Sequence, residues 1–256
     1  MTRTILITGA SSGSGKATAA LAEARGWRPI RAGLKGGDVK ADLAIPQGRA
    51  ALVKGVTALA GESLDAVIAC AGLDLSTPLT LSVNYFGAVA TLERLRPLLS
   101  RGHSSRAVGL ASFASIVKPD SELLEACPSG DEETALRIAE SKGGTRWGFY
   151  YRSSKAAFAH WIRRQAVAAD WVRAGILLNG VAPGMVRTPM TQAMIDDEAV
   201  RARIEQHMPM PISRYAKPEE IAELLLWLAS PANSMMVGQI IFVDGGAEAT
   251  VRSDVL

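Results

Sequence analysis

Four side chains in the middle of the chain have the types and spacing to move a proton. Tyr151-Arg152-Ser153-Ser154-Lys155 sets a phenol and an ammonium four residues apart at the start of a predicted helix. That spacing puts both on one helical face. A free tyrosine titrates near ~10, and an adjacent ammonium is expected to lower that value by favouring the phenolate. A phenol tuned in this way gives a proton to a carbonyl oxygen or takes one from an alcohol. Ser112 follows a predicted strand, Arg106 to Ala111. Its hydroxyl therefore falls at a carboxyl strand edge, where it can hydrogen-bond a reacting oxygen. Asn84 opens the candidate helix that follows the third strand, Val83 to Leu99, and is placed to anchor a water leading to Lys155. Taken singly, these residues are a surface pair, a loop hydroxyl and a helix cap. A second feature near the start of the chain gives the set its meaning.

That feature is Thr8-Gly9-Ala10-Ser11-Ser12-Gly13-Ser14-Gly15, lying between a strand pattern and a helix pattern. Glycines allow a tight turn and close approach of backbone N–H groups to a pyrophosphate. The helix that follows offers its partly positive end to the anion, and Ser11, Ser12 and Ser14 add hydroxyl donors. This predicts a dinucleotide cradle. An acidic residue at the end of the second strand would bind the ribose hydroxyls of NAD. Here the strand tail reads Arg31-Ala32-Gly33-Leu34-Lys35. Gly33 offers no carboxylate, and Arg31 or Lys35 can pair with a 2′-phosphate. The reading tilts toward NADP(H) over NAD(H), with Asp38 able to swing back if its loop curls. Asp42, followed by Leu43, is placed to accept from the adenine amino group.

These residues need a scaffold that alternates. Strand patterns at Thr4 to Thr8, Pro29 to Ala32, Ala66 to Cys70, Arg106 to Ala111, Ile176 to Val181 and Gln239 to Val243 alternate with helix patterns. The helices are Lys16 to Arg25, Gln47 to Ala60, Val83 to Leu99, Ser153 to Arg173 and Glu219 to Ala229, with Pro97 and Gly102 as stop signals for the third. This order predicts an α/β fold, a parallel sheet covered by helices on both faces, in one domain over residues 1–256. Two excursions break it. Residues 113–148 form an insertion with a helical stretch from Asp131 to Ser141. Residues 188–218 carry Met190, Met194 and the run Met208-Pro209-Met210-Pro211. Long excursions from a compact α/β core are often lids or binding loops, and methionines adapt to bulky apolar ligands.

Composition narrows the field. The chain has 256 residues, 48% hydrophobic and 21% charged, with 28 basic and 25 acidic side chains. A net charge of +3 is too small a bias to suggest nucleic acid. Arg163-Arg164 and the run from Arg101 to Arg106 read as solvated surface. Cys70 and Cys127 form no disulfide framework, and His103, His160 and His207 give no metal-ligand pattern. The chain opens on a strand with no leader pattern, and no apolar run reaches the ~18 residues of a membrane span. The expectation is a cytoplasmic protein without metal, membrane or nucleic-acid partners.

In order along the chain, Thr8-Gly9-x-x-x-Gly13-x-Gly15, Asn84, Ser112, Tyr151-x-x-x-Lys155 and Pro183-Gly184-x-x-x-Thr188 resemble the short-chain dehydrogenase/reductase family. The likeness runs from residue 4 to about 247, nearly the whole chain. It implies a Rossmann-like, doubly wound sheet of about seven strands with the cofactor at the carboxyl strand ends. It implies a catalytic Ser112, Tyr151 and Lys155 supported by Asn84. Tyr151 and Lys155 would also hold the nicotinamide ribose. The Pro183-Gly184 turn would run beneath the nicotinamide, with Val186 and Thr188 on its carboxamide. Gly33, Leu34 and the Cys70-Ala71-Gly72 turn would meet the rest of the cofactor.

Val39 to Leu43, Cys70 to Leu73, Val83 to Ala88 and the long gap between Ser112 and Tyr151 are similar to members that act on steroids and other carbonyl compounds. The resemblance thus implies NAD(P)-dependent interconversion of an alcohol and a ketone on a small apolar substrate, such as a steroid or aromatic carbonyl. An aryl alcohol dehydrogenase of coniferyl type is the alternative, and a non-catalytic dinucleotide-sensing regulator a third reading. The insertion, by covering a helix face that other members use for packing, implies a homodimer, a homotetramer being the other possibility. Three positions depart from the family pattern: Cys70 for asparagine, Ser14 for an apolar residue, and Gly33 for the acidic residue of NAD-using members.

Overall fold

The computed structural model describes residues 2–143 and 148–255. Residues 144–147 of the expected insertion, and both chain-end residues, lie outside the described residues. Seven parallel strands form one sheet in the order β3-β2-β1-β4-β5-β6-β7. They are β1 (Thr4–Thr8), β2 (Arg28–Gly33), β3 (Val39–Lys40), β4 (Ala66–Ala69), β5 (Arg106–Leu110), β6 (Leu177–Pro183) and β7 (Ile240–Val243). The doubly wound α/β sheet expected from the alternation is the one observed. Every residue of β4 is buried, as strands covered on both faces require.

Helices cover both faces of the sheet. On one side lie α2 (Pro46–Ala60), α4 (Ala88–Leu99) and α7 (Phe149–Ala166), whose Leu52, Leu92, Leu95, Phe158 and Ile162 enter the larger core. On the other lie α1 (Gly13–Ala24) and α11 (Pro218–Leu228), with Ala19, Ala22, Ile221 and Leu225 against Ile5, Ile7 and Ile68. Helix α7 lies flush on β5 because position 109 has no side chain. A Cβ on Gly109 would stand 2.7 Å from the Phe158 ring and from Ile162.

The strand order reverses at β1, which pairs with β2 on one side and β4 on the other. Open parallel sheets bind ligands at such a point, beyond the carboxyl strand ends. The backbones converge there. Gly9 has φ 67°, and a Cβ on it would fall 2.8 Å from the Ala71 Cα. The Thr8 hydroxyl accepts from the Ala71 amide at 3.1 Å, pinning the two strand ends together.

The structure corrects several sequence-based boundaries. The helix expected from Ser153 to Arg173 starts earlier, at Phe149, and ends at Ala166. Ala168 is extended, and a short helix α8 (Ala169–Val172) follows. The break lets Trp171 turn inward, where it is buried edge-on against Trp161 with ring centroids 6.1 Å apart. The helix expected at Val83 begins at α3 (Leu79–Leu81) and widens into a π-helical turn, Ser82–Gly87, before α4. Asn84 therefore sits inside a helix rather than at its opening. The end of α4 falls at Leu99, as expected, with Pro97 inside its last turn. The two-residue edge strand β3 was not read from the sequence at all.

In the insertion, α5 (Ser121–Ala126) precedes α6 (Glu132–Gly143), the latter close to the expected stretch. Leu123, Cys127, Ala135 and Ala139 join the same core as α7. The excursion at residues 188–218 carries α9 (Gln192–Asp196) and α10 (Glu198–His207). Its base is closed by a parallel bridge between Val186 and Ala216. The last helix is α12 (Ala247–Val251). Among the described residues, no helix is long and apolar enough to cross a membrane.

Candidate active site

At the carboxyl edge of the sheet, β1, β2, β4, β5 and β6 open onto one cleft of about 400 Å³, within the usual range of ligand sites. It gathers Gly9, Ser11, Ser12, Gly13, Ser14, Gly15, Gly33, Leu34, Asp42 and Leu43 from the first half of the sheet. From the second half come Cys70, Ala71, Gly72, Ser112, Tyr151, Lys155, Pro183, Gly184, Val186 and Thr188. Of the residues singled out in the sequence, Asn84 does not line it, nor do Arg31, Lys35 and Asp38. Helix α1 presents its first turn to the cleft without a side-chain cap from Ser12, leaving N–H groups available to an anion.

Lys155 is 3% exposed, and its ammonium donates to the Leu110 carbonyl at 2.6 Å. The same ammonium lies 5.8 Å from the centre of the Tyr151 ring. Enclosure lowers the Lys155 pKa to about 8, against the opposing influence of Cys70 and Asp74. For Tyr151, enclosure outweighs everything else and raises the pKa to about 12. Hydrogen bonding with the Ser112 side chain opposes that rise, and the Asp74 carboxylate adds to it. The expectation that the ammonium lowers the tyrosine pKa is thus not met in this chain. The desolvation of a phenolate is the larger effect.

Ser112 lies two residues beyond β5 in extended conformation, its hydroxyl accepting from the Ala114 amide at 3.2 Å. Asn84 stands behind the cleft, 1% exposed. Its Oδ1 accepts from the Leu73 amide at 2.7 Å, and its Nδ2 donates to the Leu73 carbonyl at 2.8 Å and to Ser154 Oγ at 3.1 Å. Ser154 in turn donates to the Tyr151 carbonyl at 2.8 Å. Asn84 thereby ties the loop after β4 to the turn of α7 that carries the tyrosine. A Cβ on Gly72 would stand 3.2 Å from Asn84 Oδ1 and 3.5 Å from Lys155 Nζ, so these groups are near neighbours.

Asp74 was missed in the sequence. The Asn84 clamp on Leu73 fixes its backbone on one side. On the other, the Thr80 hydroxyl bonds both the amide and the carbonyl of Leu75. Asp74 thus lies on a backbone held at both sides, with its carboxylate within electrostatic reach of both Tyr151 and Lys155. Burial raises its own pKa, with Lys155 opposing. The only signal for it was a carboxylate two residues past Gly72.

At the far end of the cleft, a Cβ on Gly33 would stand 2.9 Å from the Gly36 carbonyl and 3.4 Å from Ser11 Oγ. Arg31 is paired with Glu23 at 2.5 Å. The loop does curl, and the Asp38 carboxylate accepts from the Arg31 amide at 2.7 Å, outside the cleft lining. Lys35 is exposed. Beside Ser112, Phe113 packs with Ile204, Met208 and Ala247, and with the half-buried Met185, Met194 and Met210. Met190 lines the cleft itself.

Comparison with known proteins agrees with this geometry. The chain is 35% identical over 253 residues to the 3-alpha-hydroxysteroid dehydrogenase/carbonyl reductase of Comamonas testosteroni, covering 97% of each chain. Its fold matches the crystal structure of the 3-alpha-hydroxysteroid dehydrogenase from Pseudomonas sp. B-0831 complexed with NADH. The TM-score is 0.92 at 36% identity, over 99% of this chain and 100% of that one. A putative NAD(P)-dependent gluconate 5-dehydrogenase from Beutenbergia cavernae, with bound NADP at low occupancy, matches at TM-score 0.75 and 27% identity. That match covers 96% of this chain and 97% of the other. A family model described as enoyl-(acyl carrier protein) reductase matches residues 134–248. The chain belongs to the short-chain dehydrogenase/reductase family and is an oxidoreductase using a nicotinamide dinucleotide.

The arrangement predicts a pH dependence. Carbonyl reduction should decline as pH rises through about 8, where Lys155 loses its proton. Asp74→Asn removes an anion that raises both the Lys155 and Tyr151 pKa values. The declining limb of the kcat/KM profile should therefore move to lower pH. An unshifted limb would show that Asp74 has no influence on the pair.

Proposed function

We propose that the enzyme interconverts a secondary alcohol and a ketone on an apolar, ring-bearing substrate such as a steroid or aromatic carbonyl. The observation that carries this reading is the convergence of Ser112, Tyr151 and Lys155 on the cleft that also holds the glycine turn. A regulator that only sensed a dinucleotide would have no use for that convergence. The apolar cluster around Phe113, Met208 and Met210 supports a hydrophobic substrate, as does the likeness to the 3-alpha-hydroxysteroid dehydrogenase/carbonyl reductase of Comamonas testosteroni.

In this reading a nicotinamide held in the cleft would supply or accept the hydride. Tyr151 holds the proton destined for the carbonyl oxygen, and Ser112 hydrogen-bonds that oxygen and steadies its developing charge. Lys155, fixed by the Leu110 carbonyl, supports the tyrosine and holds the adjacent ribose, and Asn84 positions the loop and helix around them. Gly9 to Gly15, at the start of α1, would hold the pyrophosphate. Asp42 and Leu43 would hold the adenine, and Pro183, Gly184, Val186 and Thr188 the nicotinamide. Glycine at 33 offers neither a carboxylate for ribose hydroxyls nor a charge against a 2′-phosphate, which supports a modest preference for NADP(H). With Arg31 paired to Glu23, that preference rests on Lys35. The insertion covers α7 from one side, which supports a homodimer over a tetramer.

Three outcomes test the proposal. Tyr151→Phe should lower kcat for ketone reduction by about 10²–10⁴-fold, the usual weight of a positioned acid, while dinucleotide binding persists. Unchanged turnover would refute the assignment. Lys35→Ala should bring the KM values for NADPH and NADH closer together, and an unchanged ratio would remove Lys35 from cofactor choice. Light scattering should give the mass of two chains, and a four-chain mass would overturn the dimer.

A further inference from the structure

Arg49, on the first turns of α2, is 6% exposed and makes five hydrogen bonds. Its Nε donates to the Leu43 carbonyl at 2.8 Å. One terminal nitrogen donates to the Ala44 carbonyl at 3.2 Å, the Ser82 carbonyl at 3.1 Å and Glu132 Oε1 at 2.7 Å. The other donates to Glu132 Oε2 at 2.5 Å. This is a two-pronged guanidinium–carboxylate pair, the geometry that gives such pairs their strength and direction. Glu132 belongs to the first turn of α6, where helix N–H groups favour an anion. The single guanidinium thus joins α2, the loop at 43–44, the π-helical turn that carries Asn84, and the insertion.

The loop has little slack. A Cβ on Gly48 would fall 1.8 Å from the Asp42 carbonyl, and one on Gly87 would fall 2.9 Å from Leu43 Cβ and from its carbonyl. Both Asp42 and Leu43 line the cleft. A buried arginine needs its counter-charge, because removing one partner of such a pair strands the other charge. Without Glu132, Arg49 must seek solvent, and the carbonyls of Leu43, Ala44 and Ser82 lose the donor that gathers them.

We infer that Arg49 and Glu132 are positioning residues for the adenine half of the dinucleotide. Through Glu132 the insertion completes the wall that Asp42 and Leu43 present to the cofactor. The inference rests on the placement of adenine against Asp42 and Leu43 given under Proposed function. The nicotinamide end is held by Lys155 and by the turn from Pro183 to Thr188, none of which touches Arg49. Losing Glu132 should therefore weigh mainly on the adenine half of the cofactor.

The experiment measures equilibrium binding of three probes: NADH, ADP-ribose and reduced nicotinamide mononucleotide. Glu132→Ala should raise the Kd for NADH and ADP-ribose by about tenfold, the weight of one charge-assisted contact. It should leave binding of the mononucleotide unchanged. Glu132→Gln keeps an acceptor and the side-chain shape, so it should restore part of the affinity, and it carries the test if the alanine variant fails to fold. Lys142→Gln cuts the ion pairs of α6 to Asp120 and Glu122 without touching α2, and should leave all three Kd values unchanged. Asp42→Ala tests the placement separately. If it leaves ADP-ribose binding intact, the adenine lies elsewhere. If it weakens ADP-ribose while Glu132→Ala and Glu132→Gln do not, the strut is refuted. Equal loss for ADP-ribose and the mononucleotide in the Glu132 variants would also refute it.

Discussion

The ammonium of Lys155 is drawn almost entirely out of water, and a charge so placed must be met by a partner. The Leu110 carbonyl, on the last residue of β5, meets it at 2.6 Å. That bond ties α7 to the end of β5 and so fixes the relation between two parts of the site. Tyr151 lies one helical turn before the lysine, and Ser112 lies two residues beyond the carbonyl. The bond can form because α7 rests directly on β5, where Gly109 leaves room for Phe158 and Ile162. A core packing choice thereby sets the register of the proposed catalytic groups. The site is built on a strand end and a helix face rather than on loops alone, which is how a constellation is held within small tolerances.

Enclosure has opposite effects on the two titrating groups. It raises the phenol and lowers the ammonium, because each neutral form avoids the cost of a charge in a poor solvent. Asp74 then acts in one direction on both, disfavouring phenolate and favouring ammonium. The protein surroundings alone therefore hold a protonated tyrosine beside a lysine that is charged below pH about 8. That is the protonation state from which a carbonyl oxygen receives a proton. The clamps on Leu73 and Leu75 matter for this reason: a carboxylate on a loose loop would turn to solvent and lose its influence.

How much of this was legible in the sequence depended on the range over which each feature is determined. The glycine turn, the tyrosine–lysine pair and the alternation of elements are local patterns, and the cleft gathers the glycine turn, Ser112, Tyr151 and Lys155. The break at Val167 and Ala168 was not legible, because the segment keeps helical composition and only the burial of Trp171 demands a bend. The π-helical turn around Asn84 was hidden because the helix starts at Leu79, four residues before the apolar pattern suggested. Arg31 read as a phosphate partner until Glu23, on a different element, was seen to hold it. Asp74, and the Arg49–Glu132 pair that joins α2 to the insertion, depend on the tertiary fold. No periodicity announces such contacts.

The excursion at residues 188–218 shows how cofactor and substrate requirements meet on one segment. At its start, Thr188 packs against the glycine turn, its Cγ2 within 3.1 Å of where a Cβ on Gly13 would be. Further on, Met194, Met208 and Met210 join Phe113, the residue next to Ser112. The bridge from Val186 to Ala216 closes the base of the excursion, so its helices hang from a fixed root rather than from two free ends. Any shift of α9 and α10 to admit a bulky ring must then pivot about residues that also touch the dinucleotide cleft. Flexible thioethers at the far end let the apolar wall adapt in shape while the root stays in register with the strand ends. The apolar wall beside Ser112 can thus change shape without moving Ser112, Tyr151 or Lys155.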